Sequence, residues 1–154
     1  MIFFTPSFRQ HLADAFFPRM SEWGAAGMLF ALGWMLSANP DLMGGAKSNA
    51  YDLMLAMAHQ DTWSKIMMGF GGIRLTILMI NGYWRRSPHL RALTAFLSCF
   101  FWTQIVLSFA PTFGFVFIFA CGYLAQDFAT IIRAMRDART VDDAHARGLI
   151  GGSK

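Results

Sequence analysis

Two charged residues stand where a charge is costly. Arg74 lies in the middle of one long apolar run, and Asp127 is the only acid this reading places inside another. An arginine at a bilayer centre costs about 2.5–3.5 kcal/mol on insertion scales, so Arg74 calls for compensation. If both runs are helices crossing in the same direction, Asp127 lies about 7 Å below Arg74 along the helix axis, within reach of an arginine side chain. An Arg74–Asp127 pair is therefore expected, with Asn81 and Gln104 as further buried polar candidates on either side of the midplane. The set supports two readings. It can line a path for an ion or proton, or it can be a buried pair with hydrogen-bond glue that fixes helix register.

The remaining chemistry is thin. His11, His59, His89 and His145 have no spacing that puts two ligands on one helix face, so no metal site is expected. Cys99 and Cys121 lie near the middle of adjacent runs without a C-x-x-C motif, as inert buried thiols would. The eleven methionines are ordinary packing material. There is no Ser/His/Asp set, phosphate loop or paired carboxylate, so neither catalytic residues nor a cofactor are expected, and the chain is not read as an enzyme. Gly69, Gly71 and Gly72 form a small-residue patch, with a looser one at Gly24, Gly27 and Gly33. Such patches let helices approach closely in lipid, within the chain or between copies.

The elements that must position these residues follow from composition. The 154 residues are 55% hydrophobic and only 14% charged, with mean hydropathy +0.40. A soluble domain carries about 25% charged residues, and a small globule cannot bury this much apolar side chain. Lipid is the indicated solvent. Disorder, a nucleic-acid module and a disulfide scaffold are excluded on the same grounds. Four apolar runs of spanning length are expected at about 21–38, 63–84, 90–110 and 112–133, the last two joined by a turn short enough to force a hairpin.

Charge orients the runs. The link between the second and third holds Arg85, Arg86 and Arg91 and no acid, and both terminal segments are also basic. By the positive-inside rule both termini and this link are cytoplasmic, the three arginines binding anionic lipid headgroups at about 1 kcal/mol each. Trp23, Trp63 and Trp84 fall at run ends, as an interfacial belt would. Phe4, Phe8, Leu12 and Phe16 recur every fourth residue among polar ones, which reads as a surface helix over 1–20. A short amphipathic piece at 51–58 suits the opposite surface, and 134–154 reads as a polar cytoplasmic tail. The expected fold is all-α: one membrane domain over 1–154, a four-helix bundle with an N-terminal amphipathic surface helix.

The stretch Gly71-Gly72-Ile73-Arg74 through Ile80-Asn81-Gly82-Tyr83-Trp84-Arg85-Arg86-Ser87-Pro88, followed by Phe96-Leu97-Ser98-Cys99-Phe100-Phe101-Trp102, resembles small polytopic membrane proteins of tailed bacteriophages and proteobacterial prophages. The shared pattern is an arginine-bearing span, then Ile-Asn-Gly-x-Trp-Arg-Arg-Ser/Thr-Pro, then an apolar span with a tryptophan. The similarity covers about residues 63–105. It implies a bacterial inner-membrane setting and no particular activity. Together these features suggest a non-enzymatic phage-type protein that self-associates, holin-like or membrane-remodelling. Two alternatives are an ion or proton channel or small transporter, and a structural or anchoring subunit of a membrane or virion assembly. The partners expected are lipid and further copies of the chain or subunits of a membrane complex, and not nucleic acid.

Overall fold

The computed structural model describes residues 19–45, 49–83 and 88–146, and every regular element among them is helical. We label the α-helices α1 (Met20–Ala38), α2 (Asp52–Met57), α3 (Gln60–Tyr83), α4 (Pro88–Phe109) and α5 (Phe115–Ala146). Over Gln60–Asn81, Pro88–Thr112 and Phe115–Arg139 the chain is long and apolar enough to cross a membrane. The first expected run forms α1, which is not among these. Its 19 residues are about 28 Å long at ~1.5 Å per residue, and Glu22 occupies its first turn. Residues 1–18 of the surface helix expected over 1–20, together with Arg85 and Arg86, fall outside the described residues, and Met20 belongs to α1 instead.

Local chemistry sets the helix ends. α1 stops before Pro40, because a residue preceding proline is pushed out of the α region. Asn39 then closes the helix, its backbone N–H and its side-chain amide both donating to the Met35 carbonyl at 3.2 and 2.8 Å. Gln60 ties the following loop to α1. Its amide donates to the carbonyls of Leu36 (2.9 Å) and Asn39 (2.5 Å), and its carbonyl accepts from the Met43 N–H (2.7 Å). These bonds satisfy carbonyls that a helix C-terminus leaves without partners. Pro88 opens α4, where a missing N–H costs nothing. Between α4 and α5 a 3₁₀ turn (Ala110–Thr112) ends on Phe113, whose φ of 44° is left-handed, and the chain reverses there.

The helices form two antiparallel pairs. α1 lies along α3, and α4 lies along α5. The first pair is close because glycines face backbone: a Cβ on Gly33 would fall 2.4 Å from the Met68 nitrogen, and one on Gly71 2.5 Å from the Phe30 nitrogen. The Ser64 hydroxyl donates to the Gly33 carbonyl across the same seam, at 2.9 Å. Gly72 would only touch the Phe30 ring, and Gly69 would meet nothing within 4 Å. The expected packing patch is thus split. Gly71 and Gly72 face α1, whereas Gly69 lies round the helix from that seam, and a Cβ there would meet nothing among the described residues. Gly33→Ala or Gly71→Ala should lower stability by about 1–3 kcal/mol through overpacking, seen as an earlier thermal transition in detergent. Gly69→Ala should leave the transition unchanged or raise it slightly.

In the second pair Trp102 stacks on Tyr123 with ring centroids 4.6 Å apart. The pairs meet over a core that includes Leu29, Met54, Met67, Phe101, Trp102 and Ile105. α2 helps to close this core at one end, with Met54 buried and Met57 exposed. Trp63, expected at the membrane interface, is instead buried, its indole N–H donating to the Met54 carbonyl at 2.8 Å. α5 also departs from expectation. It continues as helix to Ala146, well into the segment read as a polar tail, because Ala134 and Ala138 repeat at i, i+4 and are buried on one face.

Candidate functional site: two buried ion-pair clusters

Each cluster is built on helix periodicity. On α3, Arg74, Leu78 and Asn81 fall at i, i+4 and i+7 and are buried together. On α4, Arg91, Ala95, Ser98, Trp102 and Ile105 form one buried stripe, and on α5 Asp127, Thr130, Ala134 and Ala138 form another. The charged members of these stripes meet at two levels of the bundle.

At the first level Arg74 and Asp127 come together. One guanidinium nitrogen, Nη1, donates to Asp127 Oδ2 at 3.0 Å and to the Ser98 hydroxyl at 2.6 Å, while Nη2 donates to Asp127 Oδ1. Arg74 is 1% exposed and Asp127 0%, so the pair is wholly shielded. The two-pronged geometry matches the planar fork of a guanidinium to a carboxylate and fixes the orientation of both side chains. Three helices are joined by it: α3, α4 and α5.

The second level was not foreseen as a site. Arg91, expected among lipid headgroups, is instead buried: its Nε donates to Glu22 Oε2 at 3.0 Å, and its Nη2 to Glu22 Oε1. Its Nη1 reaches Asp137 Oδ2 at 3.2 Å, and that carboxylate is more than half exposed. The cause is position. Arg91 shares a helix face with Ser98 and Trp102, so its side chain is carried inward against α1 and α5. Beside it the Gln126 amide donates to the Ser21 carbonyl, a further tie between α5 and α1.

No family model, curated protein or solved structure matches this chain.

The arrangement must therefore be judged on its own chemistry. Of the other expected site residues, Asn81 is buried on the Arg74 face. Gln104 is half-buried, off the inward stripe of α4, and no hydrogen bond joins it to the pair among the described residues. Lys65 pairs with Asp61 at 2.7 Å on the exposed side of α3. Cys99 and Cys121 are free thiols, and no group of three or more His, Cys, Asp or Glu residues that could hold a metal occurs among the described residues.

Each cation donates to two partners, and both oxygens of Asp127 and of Glu22 accept from it. The two clusters are also reciprocal. The α1–α3 pair supplies one cation, Arg74, and one anion, Glu22; the α4–α5 pair supplies Asp127 and Arg91 to meet them. In a low-dielectric interior such bonds resist helix sliding, since any shift leaves two charges without partners.

Proposed function

We propose that this chain is a non-enzymatic, phage-type protein of a bacterial inner membrane that works by associating with copies of itself, with holin-like remodelling of the bilayer as its concrete form. In this reading α1 completes a fourth crossing. Both termini and the Arg85–Arg86 link then face the cytoplasm, as the Lys/Arg distribution requires. The observation that carries the proposal is an open groove on the outer side of the α1–α3 pair. Its lining includes Phe30, Met68, Gly69, Gly72 and Ile73, with Lys65 at one end, and at Gly69 there is room for another helix to approach closely. Large apolar side chains are exposed around the bundle, among them Trp34, Ile73, Phe96 and Ile118, and these surfaces are compatible with lipid contact.

Induced expression in bacteria should halt growth and collapse the membrane potential, and cross-linking in membranes should trap oligomers. Gly69→Leu should abolish both while leaving the thermal transition of the purified protein within a few degrees of the parent, since that side chain would enter open space. Polarised, growing cells containing abundant monomeric protein would overturn the proposal.

A further inference from the structure

α5 is the least buried of the three candidate spans, and its outward face changes character along its length. Asp127, Thr130, Ala134 and Ala138 form the inward stripe. On the opposite side Phe128, Ile132 and Met135 are each more than half exposed, and the exposed Arg136 and Arg139 follow them. All five fall within about 100° of arc, at ~100° per residue. Met135 is the last large apolar side chain exposed on α5 among the described residues.

Length puts this change at the edge of the bilayer. From Phe115, where α5 begins, to Met135 the helix rises about 30 Å at ~1.5 Å per residue, the thickness of the hydrocarbon core. Upright in the membrane, Arg136 and Arg139 then lie about 2 and 6 Å beyond that core, in the headgroup layer, which adds about 5–7 Å on each side. Their charge is uncancelled. No acid among the described residues pairs with either, and the neighbouring Asp137 is turned round the helix to Arg91, 3.2 Å away. The next acids in the chain, Asp142 and Asp143, come about 4.5–6 Å beyond Arg139 along the axis, on the water side.

We propose that the outward face of α5 binds an anionic phospholipid of the phosphatidylglycerol type, its phosphodiester accepting from Arg136 and Arg139 and one acyl chain lying along Met135, Ile132 and Phe128. A guanidinium fork suits a phosphate, and the apolar residues below it hold the chain that a free anion lacks. The inference rests on α5 crossing the bilayer. It is independent of self-association, because none of these residues belongs to the outer groove.

The test uses the full-length protein in dodecyl maltoside, titrated with dioleoylphosphatidylglycerol or dioleoylphosphatidylcholine and read by native mass spectrometry. The anionic lipid should bind about tenfold more tightly than the zwitterionic one. Arg136→Gln and Arg139→Gln should each weaken its binding about fivefold, the equivalent of about 1 kcal/mol, and leave phosphatidylcholine binding and the melting temperature unchanged. Lysine at both positions keeps the charge and should keep most of the preference. Equal binding of the two lipids by the parent would overturn the proposal. So would an unchanged preference in the double glutamine variant, which would move the anionic lipid to other basic residues. Displacement of the lipid by millimolar inorganic phosphate would overturn the acyl-chain contact in favour of a free-anion site. Release of the chain from membranes by alkaline carbonate would overturn the bilayer reading and this inference with it, whereas monomeric protein with its lipid preference intact would overturn self-association alone.

Discussion

Arg74→Met should destabilise the chain by about 3–5 kcal/mol, because it leaves the fully buried carboxylate of Asp127 without its cation. Asp127→Leu should cost a similar amount by stranding the guanidinium, with only Ser98 left to accept from it. The double variant, with both charges gone and comparable volume in their place, should recover most of the loss. A buried pair exchanged for apolar residues is often neutral, whereas a half-removed pair is not. Thermal melting in detergent and steady-state abundance in membranes both read this. Additive losses in the double variant would show that the two side chains do not act as a unit. Flux in liposomes separates the two readings of the polar set: both leave the doubly apolar variant assembled, but a conducting path loses its flux whereas a register-fixing pair has none to lose.

The second large effect is asymmetric by construction. Arg91→Leu should cost about 3 kcal/mol, since Glu22 is left buried and unneutralised on α1. Glu22→Gln should cost less, because Arg91 keeps its contact with Asp137 at 3.2 Å. Asp137→Ala should change little: its carboxylate is more than half exposed, and exposed ion pairs are worth about 0–1 kcal/mol. The order of melting temperatures should run parent, Asp137→Ala, Glu22→Gln, Arg91→Leu. A penalty for Asp137→Ala as large as that for Arg91→Leu would move the weight of the cluster to its outer edge.

How far the sequence carried this picture differs between the clusters. Arg74 and Asp127 are legible because a charge deep in an apolar run has few ways to be stable, and only one acid was available at a reachable depth. Arg91 was misread for the opposite reason. It sits near the start of a run among other arginines, where the positive-inside rule accounts for it without a partner. The missing signal was periodicity: Arg91, Ser98, Trp102 and Ile105 repeat on one face of α4, and a residue on the face that buries a tryptophan is buried with it. Glu22 at the start of α1 then becomes the nearest uncommitted acid. α1 itself could be read as apolar, but its shortness matters more than its composition, because Pro40 ends it and Glu22 occupies its first turn. The inward-facing role of Gly71 and the empty side of Gly69 differ by about 200° around one helix at ~100° per residue. Spacing within the glycine patch contains that difference, but not which side faces α1.

The reciprocal charges of the two helix pairs have a consequence for how the chain is made. Asp127 follows Arg74 by 53 residues, and Arg91 follows Glu22 by 69. While the first pair of helices is being synthesised, its buried cation and anion have no partners, and lipid is a poor place to wait. The early helices are therefore best retained at the insertion machinery until α4 and α5 emerge, and released together with them. A truncation after α3 should linger at the insertion site or be degraded, whereas the whole chain leaves it electrically complete.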